Sequence, residues 1–177
     1  MKNIRLISVV LKGYGFLLFA EILCLFLNLT LAVSPSNIFK IIAAFCTAVI
    51  FIGIICNHAH NTAKNDKVLE RQFKTTFSGM RCILAGFSMT ALYAIIWVFL
   101  LLSKLGVIGD FYNEYKLLNG QYLQLFNLIW PGTEIADVSM SGVLIMLSFT
   151  IVPFVAFVTA YKLTYKGVDI ESIQYSA

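Results

Sequence analysis

Four apolar stretches, at about 8–33, 37–57, 79–103 and 139–161, take up most of this 177-residue chain. A helix needs about 20 consecutive apolar residues to cross the hydrocarbon core of a bilayer, and each stretch has that length. Only 12% of the residues are charged, against about 25% in a soluble domain. The expectation is an all-α fold: a polytopic four-helix transmembrane bundle, one domain over 1–177, with no separate soluble module.

The first run has a basic flank (Lys2, Arg5, Lys12) and ends in Ala32-Val33-Ser34, a pattern that resembles a cleaved signal. The apolar run from Gly13 to Val33 exceeds the roughly 7–15 residues of a signal core, and Pro35 is a poor neighbour for a cleavage site. It reads as a retained span.

Charge sets the orientation. Lys2, Arg5, Lys12, Lys64, Lys67, Arg71, Lys74, Arg81, Lys162 and Lys166 lie on one side, and only Lys40, Lys104 and Lys116 on the other. The positive-inside rule then makes both termini and the second loop cytoplasmic, in a multi-pass plasma-membrane protein. The net charge of +4 belongs to this topology rather than to nucleic-acid binding.

Ser34-Pro35-Ser36-Asn37 reads as a tight turn, because proline cannot continue a helix and restricts the residue before it. The polar run 57–66 reads as a loop, with Asp66 as the N-cap of a cytoplasmic extension of span three. Ser78, Cys82, Gly86, Thr90 and Ala94 form a small-residue stripe on that span, suited to close helix packing. Pro153 should kink span four. Between spans three and four, apolar Tyr115, Leu118, Tyr122, Leu125, Phe126 and Ile129 alternate with polar Asn113, Lys116, Gly120, Gln124 and Asn127. These steps of three and four predict an extracellular interfacial amphipathic helix over 111–129, or a segment that dips in as a partial re-entrant.

Glu21 is the first candidate site residue. Ionisable groups inside a span are costly and usually face protein or water. Tyr14, Glu21 and Asn28 recur at intervals of seven and share a helix face. The set reads as an intramembrane polar site: a proton or cation site, an anchor for a partner's basic residue, or a protonated or hydrogen-bonded lock between helices, with Tyr93 and Thr90 as candidate hydrogen-bonding groups. His58 and His60, with Cys56 and Cys82 near the same face, are a weaker metal candidate whose spacing matches no standard motif. Asp66 and Glu70, among Lys67, Arg71 and Lys74, read as a solvated ion-paired face. Cys24, Cys46, Cys56 and Cys82 avoid the outer loops, which argues against a structural disulfide. No enzyme signature or cofactor motif stands out.

The segments 116–127 (KLLNGQYLQLFN), Val152-Pro153 and 161–167 (YKLTYKG) resemble small uncharacterised four-span membrane proteins of Gram-positive bacteria. The resemblance covers the C-terminal third. It implies four spans and a bacterial plasma membrane, and carries no functional residues. The expected function is that of a non-enzymatic accessory, assembly or immunity-type protein. Its expected partners are the lipid bilayer and another membrane protein or a second copy of itself. The alternative is an oligomeric small transporter or channel that uses Glu21.

Overall fold

The computed structural model describes residues 2–31, 36–73 and 79–167. Among the described residues all regular structure is helical. The long helices are α1 (Lys2–Leu31), α2 (Asn37–Phe73) and α3 (Gly79–Lys104). A fourth rod consists of α6 (Met140–Thr150) and α7 (Val152–Lys166). Four helical stretches, Leu6–Thr30, Asn37–Glu70, Gly79–Lys104 and Met140–Lys166, are long and apolar enough to cross a bilayer. The Ser34–Pro35 turn and Ser78 lie outside the described residues.

The rods pack as a square. α1 lies against α2 and α3, and α7 lies against both α2 and α3. Consecutive helices α2 and α3 therefore sit on a diagonal. They meet in the middle through Phe51 and Tyr93, whose ring centroids are 6.2 Å apart.

Two expectations about helix limits are corrected. Residues 57–66 are not a loop: α2 runs through them to Phe73, so the polar extension belongs to α2 and Asp66 is an interior residue, not an N-cap. No proline or glycine interrupts the chain between Gly53 and Gly79, so its polar residues continue a helix that the apolar run begins. The segment 111–129 is not one amphipathic helix. It is α4 (Tyr112–Leu117), a 3-10 turn (Gly120–Tyr122) and α5 (Leu123–Ile129). Lys116, Asn119, Gln121 and Gln124 are buried there, whereas Leu117, Leu118 and Ile129 are exposed.

Local chemistry places the ends. α3 closes in a Schellman motif: Gly106, at φ 73°, allows Val107 N–H to bond Leu102 O and Gly106 N–H to bond Ser103 O. Ser139 Oγ caps α6 by accepting from Gly142 N–H at 3.1 Å. The fourth rod breaks at Ile151, as Pro153 requires, since proline has no N–H for Phe149 O and its ring crowds that carbonyl.

Two cores result. One joins α1, α2, α3 and α7 around Ala20, Phe51, Met89 and Phe157. The other joins α3 and α6 to the connecting segment around Leu100, Tyr112, Phe126 and Val143. In the small-residue stripe, Cys82, Gly86 and Thr90 are buried and Ala94 is half-buried. A Cβ on Gly86 would lie 3.1 Å from Val158 and 3.2 Å from Phe154 of α7. Gly86→Leu should therefore lower the thermal unfolding midpoint in detergent, at a cost of about 1–3 kcal/mol from overpacking. An unchanged midpoint would show that α3 and α7 do not depend on this approach.

Candidate functional site around Glu21

Glu21 sits ten residues from the end of α1, and Thr47 ten residues from the start of α2. At 1.5 Å per residue both lie about 15 Å below the helix ends. The turn Gly120–Tyr122 reaches down to meet them.

Gly120 is gripped from two sides. Its N–H donates to Glu21 Oε2 at 2.9 Å, and its carbonyl accepts from Asn28 Nδ2 at 2.6 Å. Two residues of one α1 face thus satisfy both backbone polar groups of a single buried residue. Thr47 Oγ1 lies 2.9 Å from both Gln121 O and Ala43 O, so its one proton is shared between the turn and the backbone of α2. The other Glu21 oxygen, Oε1, accepts from Tyr93 O–H of α3 at 2.8 Å. Tyr14, the third residue of the face, donates to Ser88 O at 2.6 Å. Tyr14, Glu21 and Asn28 are thereby engaged with other parts of the chain. Tyr93 is a Glu21 partner, and Thr90 Oγ1 has no partner at all.

Glycine is required at 120 by space. A Cβ there would lie 2.6 Å from Leu25 Cγ and 3.2 Å from Glu21 Oε2. Gln121 and Tyr122 follow it into the core, 1% and 6% exposed. Burial, and then the nearby Glu21 carboxyl and Tyr115, push the Tyr122 hydroxyl above its ordinary value. On the flank of the site, an apolar groove of about 520 Å³ passes between α1 and α3, with Leu18, Leu92 and Ile96 beside Glu21 and Tyr93.

The connecting segment is anchored elsewhere too. Lys116 Nζ donates to Gly132 O at 2.7 Å and to Trp130 O at 3.3 Å, and lies 4.2 Å from the Tyr112 ring centroid. Burial lowers its pKa from the usual lysine range. Tyr112, 0% exposed, is pushed up to about 12 by burial and then by Asp137. Asp110 accepts from Tyr112 N–H and Ile135 N–H, tying the start of the segment to its end.

The other candidates resolve differently. His58 and His60 lie on helical α2 and diverge: His58 meets Val9 O of α1, while His60 Nδ1 meets Thr164 Oγ1 of α7 at 2.9 Å. The His58 ring stacks on Phe16, with centroids 4.9 Å apart. Among the described residues no group of three His, Cys, Asp or Glu converges as a metal would require. All four cysteines are thiols. Asp66 and Glu70 are not a solvated face. Asp66 is buried and accepts from Tyr161 O–H at 2.7 Å, while Glu70 accepts from Tyr165 O–H. These two tyrosines stack on α7, 5.9 Å apart. The acceptors on α2 and the donors on α7 both repeat at an interval of four, a sequence signal that could have paired them.

No protein-family model, curated protein or solved structure matches this chain.

A carboxyl that accepts on both oxygens is not replaceable by an amide. In Glu21→Gln, the amide oxygen can accept only one of the two donors: if it keeps Gly120 N–H, the new NH₂ can donate to Tyr93 Oη, but the Tyr93 O–H proton loses its acceptor. The variant should lose about 1–3 kcal/mol, the cost of one unsatisfied buried donor. Tyr93→Phe should cost less, because it removes a donor and leaves a carboxyl oxygen that still has its other neighbours. Gly120→Ala should lower the unfolding midpoint through its contact with Leu25. Equal midpoints for Glu21→Gln and wild type would show that the turn is not held by this carboxyl.

Proposed function

We propose that the chain is a multi-pass protein of a bacterial plasma membrane, with both termini cytoplasmic, that acts without chemistry of its own as an accessory or assembly factor for another membrane protein. One observation carries this reading: polar side chains of the long helices, Tyr14, Asn28, Glu21 and Thr47, are bonded to other parts of the same chain. What the long helices turn outward is large and apolar, including Leu18, Phe26, Phe45, Phe87 and Ile95. Such surfaces suit lipid and neighbouring helices. The turn Gly120–Tyr122 fills the space between α1 and α2 where a pathway would otherwise open.

A second reading, an oligomeric transporter, is favoured by Glu21 and the polar atoms near it. It needs a path assembled from several copies, since four spans seldom enclose one.

Topology is tested by single cysteines in an otherwise cysteine-free background. Cysteine at Asn65 should react with an impermeant maleimide only after the cell is opened, and cysteine at Asn113 should react from outside. Labelling of Asn65→Cys in intact cells would reverse the orientation. A photo-crosslinking residue at Leu18, Phe45 or Phe87 should yield a discrete protein adduct in native membranes. Lipid adducts alone at all three positions, combined with cation flux in proteoliposomes, would replace the accessory reading with the transport one.

A further inference from the structure

We propose that Glu21, Asn28, Gln121 and Tyr122 together bind one dehydrated alkali cation, sodium or potassium. The observation is a concentration of buried polar atoms that the chain itself leaves unpaired. Gln121 is 1% exposed, and neither Oε1 nor Nε2 has a hydrogen-bond partner. Asn28 is 0% exposed; its Nδ2 bonds Gly120 O, and its Oδ1 has none. The Tyr122 hydroxyl is likewise buried and unpaired.

An unpaired buried polar atom costs about 1–3 kcal/mol, so packed cores seldom keep several together without a partner. These residues are brought together by one short stretch of backbone. Asn28 and Glu21 both bond Gly120, and Gln121 and Tyr122 are its next two neighbours. The oxygens on offer include two amide oxygens, one hydroxyl and a carboxyl, a hard set; the nearby Cys24 thiol is turned to Thr47 O. It holds a single carboxyl, so it suits a monovalent ion better than calcium, whose sites usually combine several carboxylates. The groups that face the carboxyl, Tyr93 O–H, Gly120 N–H and the backbone and side-chain amides of Gln121, are all neutral, so a cation would supply its counter-charge. The turn places the amide side chain of Gln121 where α1 alone could present only Glu21 and Asn28.

The test uses the full-length protein in detergent, without any partner, so it stands apart from the accessory reading. Equilibrium binding is measured with radioactive sodium, and with radioactive rubidium as the tracer for potassium. Thermal unfolding is followed in sodium, potassium or N-methylglucamine chloride at equal ionic strength. The expected result is saturable binding of one alkali ion per chain, and a higher midpoint in that alkali salt than in N-methylglucamine chloride. Gln121→Met keeps the side-chain length and removes both polar atoms; Tyr122→Phe removes only the hydroxyl. Each should weaken binding by about tenfold or more while the midpoint in N-methylglucamine chloride holds or rises. Wild-type protein that binds neither ion saturably overturns the proposal and leaves buried water as the partner. So does binding that survives unchanged in the folded double variant.

Discussion

The fold depends on satisfying the backbone of Gly120. A 3-10 turn driven about 15 Å into a helical bundle carries N–H and C=O groups away from water. Such groups must find partners inside the protein, and in a bilayer there is no other source. Glu21 and Asn28 supply both at once from one face of α1, and Thr47 supplies the next carbonyl from α2. Without those three side chains the turn would have no reason to leave the surface. Because they are there, Gln121 and Tyr122 pack against α1 and α2, which touch at that depth through Cys24 Sγ and Thr47 O, and α3 joins through Tyr93.

The rest of the connecting segment follows the same rule on a smaller scale. Lys116 threads under α4 to bond the carbonyls at 130 and 132, and Asp110 collects the amides of 112 and 135. Aromatic rings then fill the volume: Tyr115, Tyr122, Trp130 and Phe149 all stack or tilt against Phe126. The opposite end of the bundle is closed differently. There Asp66 and Glu70 of α2 are held by hydroxyls of a tyrosine pair on α7.

What the sequence shows is local. Four apolar runs give four long helices, Pro153 gives the break in the last, and the spacing of Cys82, Gly86 and Thr90 gives the face of α3 that is buried. The common face of Tyr14, Glu21 and Asn28 is also legible, because an interval of seven is a property of one helix. The failures share one cause. Residues 57–66 look like a loop only if polarity is taken to end a helix; the absence of any breaker was the better signal. Lys116 and Gln124 look solvent-facing because their partners cannot be read nearby. Glu21 and Gly120 are 99 positions apart, and no periodicity spans that distance.

The square arrangement, with α2 and α3 on a diagonal, fixes the order in which such a molecule can be made. A newly synthesised α1–α2 hairpin can pair at once, whereas α3 meets α2 at Phe51 and Tyr93 and packs along α1 and, once it is made, α7. The turn Gly120–Tyr122 emerges later still, and it settles on helices that touch through Cys24 and Thr47. Until it arrives, Glu21, Asn28 and Thr47 lack the backbone partners it brings. The half-made protein therefore carries a polar seam that the finished one lacks, a feature by which a cell's quality-control proteases could tell the two apart.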